Sequence, residues 1–429
     1  MRCVGLAYQA WLARRIGAAG LGLWQLIVSV NVLSATLAVS GIRFTTTRLV
    51  SEELGSARGG SAVAAAARCL LYAVCFGCCA WALLFFGAER IGFLWIGDAR
   101  TVKSLRILSI TAPMIALSSV MNGFFIAGGS AWKSALTQIA EQLVNVAAVM
   151  LLLRSTEVGD LSACCAAIAR GNLIADAVSL LLVSALFLPT LRKHRDRAPR
   201  GGLTGRMLRI ALPLAFSAYA RTGLTTLEHL LVPKKLRAGG MRADLALGGY
   251  GIVTGMVFPV IAFPACLPGA VAELTVPELT AAQVRGDARS IRRTVTRLLR
   301  ISLFYSLAVT ALLWLCADAI GTAIYRSAEA GRYIRLLAPI VPVMYMDIVT
   351  DGCLKGLGEM MRSMRYNISE ALIGVALVIA ALPRWGLNGY LFMIVFCELW
   401  NFALSFRRLL TVTGLFGYAE RKSERRPAG

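Results

Sequence analysis

The sequence predicts an all-α polytopic membrane protein: twelve transmembrane helices in two six-helix lobes related by a parallel repeat, with the first helix shortened. Three observations predict it. The first is composition, with 57% hydrophobic residues, 16% charged residues and a mean hydropathy of +0.68. A soluble domain carries about a quarter charged residues. The second is that the apolar residues come in blocks of about 20 or more, enough to span a hydrocarbon core of roughly 30 Å. Backbone polar groups cannot stay unpaired in lipid, so these blocks must be helices. The third is an internal repeat. Residues 106–147 align without a gap on 335–376 at a constant offset of 229, with twelve identities in 42 positions. Chance would give roughly three. The matches include Arg106/Arg335, Pro113/Pro342, Gly123/Gly352, Gly129/Gly358, Ser134/Ser363 and Glu141/Glu370. Recurrent Leu or Ala could follow from membrane composition alone; Pro, Gly and an intramembrane Glu at one offset do not.

The first six spans are 1–13, 21–50, 63–87, 104–127, 131–153 and 160–188. Span one begins almost at Met1. Subtracting the repeat offset from residue 207 puts its expected start about 22 residues further upstream, so the first helix is expected to be short. Leu191–Arg206, LRKHRDRAPRGGLTGR, is basic and contains Pro and Gly, which reads as a linker. The second six spans are 207–233, 244–272, 297–325, 332–356, 361–383 and 385–410. Six is an even number, so both lobes point the same way and the repeat is parallel. The domain division is therefore 1–190, linker 191–206, 207–410 and a basic tail, 411–429. Span eight carries Pro259, Pro264 and Pro268. Proline removes a backbone donor and kinks the helix. The break either bends a cavity-lining helix that hinges or serves packing alone.

The formal charge is +22. On a soluble chain that would suggest nucleic acid, but here the arginines cluster between apolar blocks, so no nucleic-acid partner is expected and the positive-inside rule applies. The connections near 51–62, 128–133, 189–206, 280–296 and 356–362, with their flanks and the tail, hold 27 Lys/Arg, the alternate set 15. The richer set is expected to be cytoplasmic, with the tail beside anionic headgroups. Eleven cysteines lie mostly in apolar spans, and His194 and His229 are the two histidines. None has metal-ligand spacing, so no metal site is expected, and small packing residues is the plain reading. No nucleophile–base set or phosphate loop is present, so neither an enzyme nor a cofactor is implied.

Several segments resemble the multidrug/oligosaccharidyl-lipid/polysaccharide exporter superfamily, and within it the stage V sporulation protein B-like branch. They are Ser40–Glu53 (SGIRFTTTRLVSEE), Glu228–Leu236 (EHLLVPKKL), Tyr250–Pro259 (YGIVTGMVFP), Phe263–Pro268 (FPACLP) and Val276–Leu279 (VPEL). The resemblance implies a carrier in a bacterial cell membrane, alternating between inward-open and outward-open forms. It implies export of a lipid-pyrophosphate-linked glycan, a cell-wall or spore-envelope precursor. Two alternatives stand beside it: a cation-coupled multidrug exporter of the same superfamily, and a non-transporting or truncated remnant.

Charges in the middle of a span are costly, so each is a functional candidate. Arg221, Thr225 and Glu228 in span seven are spaced by four and three, on one helix face. A planar guanidinium can grip two oxygens of a pyrophosphate; the plainer role is an interhelical ion pair. Arg14 and Arg15 resemble the arginine-bearing end of helix one in the family and either contact substrate or snorkel to the interface. Glu141 and Glu370 are repeat-related and could couple transport to protons or sodium, or make a duplicated structural bond. Asp347 and Asp351 sit i, i+4 where the first lobe has Ser118 and Asn122. Two carboxylates on one face could bind a cation or share a proton. Asp176 with Arg170, and Glu398, are weaker candidates for internal pairs.

Overall fold

A computed structural model of the chain describes residues 2–54, 62–156, 159–192 and 202–415. Most of the linker and tail expected from the sequence, with Arg197, Arg421, Lys422, Arg425 and Arg426, lies outside these residues. The described residues are almost wholly helical, with no strand among them. The helices are α1 (Arg2–Val39), α2 (Ile42–Leu54), α3 (Ala62–Arg90), α4 (Val102–Ser109), α5 (Thr111–Ala127), α6 (Ala131–Arg154), α7 (Leu161–Arg192) and α8 (Leu203–Ala238). There follow α9 (Ala243–Gly251), α10 (Phe258–Ala262), α11 (Cys266–Val284), α12 (Ala288–Tyr325), α13 (Ala328–Leu337), α14 (Val341–Gly356) and α15 (Met360–Thr413).

Nine stretches of the described residues are long and apolar enough to cross a membrane. They contain eleven of the twelve expected spans, two of the stretches holding two spans each. Arg2–Leu54 covers spans one and two: a break at Gly17 (φ 70°) separates them inside α1, and span two continues past Ser40 and Gly41 into α2, while a break at Gly386 (φ 58°) separates spans eleven and twelve inside α15. Only glycine adopts such left-handed backbone cheaply. α8, the seventh span, falls outside the nine because charge dilutes its hydropathy. Span eight is broken as its prolines require: α9 passes into a π-turn at Ile252–Val257, then the short α10, a turn at Phe263–Ala265, and α11.

The repeat is legible in the backbone. α5 ends at Ala127 and α14 at Gly356, and α6 begins at Ala131 and α15 at Met360, pairs separated by the same 229. Between them Gly129 has φ 68° and Gly358 φ 72°. Ser130 N–H donates to Phe125 O at 2.8 Å, and Glu359 N–H to Leu354 O at 2.9 Å. These are the same helix-ending bonds in both copies. Close approaches recur too. A Cβ on Gly123 would lie 2.7 Å from Arg43 O, and one on Gly352 would lie 2.6 Å from Ala272 Cβ, so α5 rests on α2 as α14 rests on α11. At the helix ends Arg106 pairs with Glu89 at 2.6 Å and lies 5.9 Å over Phe85. Its counterpart Arg335 pairs with Asp318 at 2.5 Å and lies 5.8 Å over Trp314. Every member of the second triad is 229 residues from the first.

Packing divides the chain into two compact units. The first holds Leu23–Leu230, the second Arg2–Gly22 with Leu231–Gly429. The first has a core around Ile42, Leu49, Phe124, Phe125 and Phe187, where small residues on α3 let α5 approach. It also holds the Arg206 guanidinium, which meets Glu53 at 2.6 Å and Glu52 at 3.4 Å and so neutralises the fully buried Glu53. The second has a core around Leu279, Val295, Val349, Leu354 and Leu409.

Candidate functional site

Within the first unit, α8 is fixed by one face and presents another. Thr226 Oγ1 donates to Ser29 O at 3.1 Å and Thr36 Oγ1 to Thr222 Oγ1 at 3.5 Å, which ties the Thr222–Thr226 face to α1. Tyr219 meets Ser40 at the break between α1 and α2, where Ser40 and Gly41 both have positive φ. The neighbouring face carries Arg221 and Thr225, both exposed, with Glu228 half-buried one turn on. Thr225 Oγ1 donates to Arg221 O at 3.1 Å, a bond internal to the helix. Among the described residues neither Arg221 nor Glu228 forms an ion pair. The two are about 10 Å apart along the axis at roughly 1.5 Å per residue, too far to meet each other.

The same unit contains a polar pocket of about 270 Å³ between α5, α6, α7 and the start of α2. Its chemistry comes from Arg43, Asn122, Gln138, Glu141, Asp176 and Ser179. Ser179 Oγ donates to Glu141 Oε2 at 2.7 Å. The expected internal pair of Asp176 with Arg170 is absent: six residues along a helix at 3.6 per turn place side chains about 120° apart. Asp176 turns to the pocket and Arg170 is exposed.

In the second unit Asp347 and Asp351 share a face of α14, as their spacing predicts, but their surroundings differ. Asp351 accepts from Ser363 Oγ at 2.5 Å and lies 3.7 Å from Lys355 Nζ. Asp347 is 9% exposed and accepts from Asn401 Nδ2 at 3.1 Å. The same Asn401 Nδ2 also reaches Asn367 Oδ1 at 3.3 Å. Asp347 Oδ1 and Asn401 Oδ1 are buried without a partner. Two orphan acceptors in one buried cluster are costly unless a proton, a cation or a bridging water satisfies them. Glu370 and Glu398 lie on the adjoining α15. Asn401 and Asn367 escaped the sequence reading because neither is charged. The repeat could have found one of them, since Asn367 stands 229 residues from the pocket-lining Gln138. Among the described residues no group of three His, Cys, Asp or Glu side chains could hold a metal ion.

Arg14 and Arg15 belong to the second unit. Arg14 Nε donates to Ile324 O at 2.6 Å, and its Nη2 to Ala323 O. A cation there satisfies the last carbonyls of α12 and the negative end of its dipole. Arg15 is half-buried.

The polysaccharide biosynthesis protein family model matches residues 2–254, and the MatE family model matches residues 236–379. The chain is 23% identical to stage V sporulation protein B of Bacillus subtilis (strain 168) over 412 residues, 92% of this chain and 78% of that protein. It is 25% identical to human multidrug and toxin extrusion protein 1 over 355 residues, covering 77% of this chain and 58% of that protein, less than two thirds of the relative's length. Among solved structures, an inward-facing multidrug resistance MATE family transporter of the MOP superfamily superposes with a TM-score of 0.72 at 16% identity, covering 97% of this chain and 96% of that one. A MOP superfamily transporter from Pyrococcus furiosus, described as having a binding pocket of reverse polarity, gives a TM-score of 0.66 at 16% identity, covering 96% and 92%. With more than half of its length matched, this chain belongs to the polysaccharide biosynthesis protein family, as a multi-pass membrane protein on the fold of the MATE transporters.

Proposed function

We propose that the protein is an alternating-access carrier that moves a lipid-linked oligosaccharide, a cell-wall or spore-envelope precursor, outward across a bacterial cell membrane. The observation that carries this reading is Arg221, an exposed guanidinium in mid-helix with no ion pair among the described residues. A structural arginine in a membrane helix is expected to have found its carboxylate. A substrate arginine waits for an anion, and its planar donors suit a pyrophosphate. Thr225 and Glu228 extend the same face; Arg14 and Arg15 are separate candidates, carried by the other unit. Similarity to a sporulation protein over 92% of the chain supports the envelope precursor. The loops 189–206 and 280–296 and the C-terminus are assigned to the cytoplasm on the charge count. Coupling to protons or sodium is assigned to Asp347 and Asp351, with Glu141 and Glu370 as the duplicated pair.

The test is a flipping or complementation assay on Arg221→Ala and Arg221→Lys, with membrane expression as control. Alanine is expected to lower transport by roughly tenfold or more, the loss of a charge-assisted contact, with lysine rescuing only part. Normal transport by the alanine variant would remove Arg221 from the mechanism. A cation-coupled drug exporter is the second reading, favoured by the acidic character of both polar clusters. Arg221→Ala would leave drug efflux intact in that case, and Asp347→Asn would abolish it.

A further inference from the structure

In the first unit a groove of about 380 Å³ opens between the second half of α1 and the last turns of α3. Its walls are Leu33, Leu37, Leu84, Ile91, Leu94 and Trp95, and it ends at Arg90, the last residue of α3 and the one charged group in the lining. Arg90 is exposed and forms no ion pair among the described residues, and the adjacent Glu89 is engaged by Arg106 at 2.6 Å. Ser34, also in the wall, is 5% exposed, and its Oγ has no partner.

The repeat shows what the fold requires at this level. Phe85, Glu89 and Arg106 have counterparts in Trp314, Asp318 and Arg335 with the same contacts. The counterpart of Arg90 is Ala319. Closing this end of the bundle therefore needs the triad and not a cation at Arg90. Phe93 and Trp95 follow on the π-turn at 61% and 50% exposure. Aromatic residues of that exposure settle at the headgroup level of a bilayer, so Arg90 stands where phosphates are. Snorkelling alone accounts for an interfacial arginine. It does not account for one that closes an apolar groove.

From this geometry we infer that the groove is a binding site for an anionic glycerophospholipid of the surrounding bilayer. An acyl chain lies along α1 and α3, and the phosphodiester sits on Arg90. The charge argument selects the occupant. The exposed guanidinium at the groove's end matches the single net negative charge of an anionic phosphodiester headgroup, and the apolar walls match its acyl chain. The site is thus distinct from the α8 face proposed for the carried glycan lipid and does not depend on that reading.

The test is native mass spectrometry of the full-length protein titrated with phosphatidylglycerol and, separately, with phosphatidylcholine. One saturable phosphatidylglycerol adduct is expected, bound more tightly than the zwitterionic lipid. Arg90→Ala should weaken it by roughly tenfold, the worth of one charge-assisted hydrogen bond, with Arg90→Lys intermediate. Gly87 supplies a second variant. Its position lies on the groove, and a Cβ there would meet nothing closer than Ile91 Cδ1 at 3.5 Å, so Gly87→Leu is compatible with α3 and fills the chain's place. It should lose the adduct with Arg90 intact. Should Arg90→Ala fail to fold, Gly87→Leu and Arg90→Lys decide. Unchanged phosphatidylglycerol affinity in the variants overturns the inference. So does displacement of the adduct by undecaprenyl pyrophosphate at lower concentration, which would make the groove part of the substrate path.

Discussion

The two aspartates of α14 show how one helix face can hold two different acids. Asp351 has an ammonium and a hydroxyl beside it, while Asp347 has an amide on one oxygen and nothing on the other. Asp347 is therefore the group that gains most from a proton or a cation, and a coupling role falls on it first. Asp347→Asn keeps the shape and removes the charge, so the protein is expected to fold and to lose ion-driven transport. Gradient-driven uptake in inverted vesicles, with proton and sodium gradients imposed separately, checks this. Glu141→Gln leaves a partner for Ser179 and should have a smaller effect on the same measurement. Spacing made the Asp347/Asp351 face legible in the sequence. The amides completing the cluster were not, because neither carries a charge and the contacts of Asn401 with Asp347 and with Asn367 arise only through tertiary packing. Arg14 teaches the converse: its charge was conspicuous, but its bonds to the end of α12 depend on a contact more than 300 residues away in the chain.

At the level of helices, the repeat makes two predictions. Gly129 and Gly358 end their hairpins at positive φ, where any side chain is strained. Gly129→Ala and Gly358→Ala should each cost about 1–2 kcal/mol, read as a lower melting temperature in detergent. Gly205 is the control: it lies in α8 with open space around a would-be Cβ and no left-handed backbone, so alanine there should be neutral or stabilising. The Arg106–Glu89 and Arg335–Asp318 pairs are half exposed, and breaking either one should cost no more than about 1 kcal/mol. Helix positions were readable because a span must be apolar for its whole length. The breaks at Gly17 and Gly386 fall where the sequence separates span one from two and span eleven from twelve, but their tightness was not readable, since each boundary is a single glycine at positive φ with no loop to mark it.

For the whole molecule, the parallel repeat and the family assignment agree that the chain is two copies of one six-helix plan. The triad of acid, arginine and aromatic is kept in both copies, while the intramembrane polar groups have diverged: Ser118 and Asn122 in one copy, Asp347 and Asp351 in the other. Scaffold was conserved by duplication and chemistry was not. Sidedness belongs to this scale. A cysteine at Arg289 is expected to be labelled only from the cytoplasm, and labelling from outside would overturn the charge-based topology.

The membership of the two units has a consequence for how the gene can be cut. Unit one requires residues 203–230 and unit two requires residues 2–22, so each unit draws a helical segment from the other side of residue 197. A break at Arg197 yields an amino-terminal piece lacking part of unit one and a carboxy-terminal piece lacking part of unit two. Neither piece is a self-sufficient half, and each holds the strand of chain the other needs. The two pieces, expressed from separate plasmids with a tag on one, should co-purify as a pair, and each alone should be degraded. In genetic terms the protein is a reciprocal complementation system, and its halves are expected to be inherited, expressed and lost together.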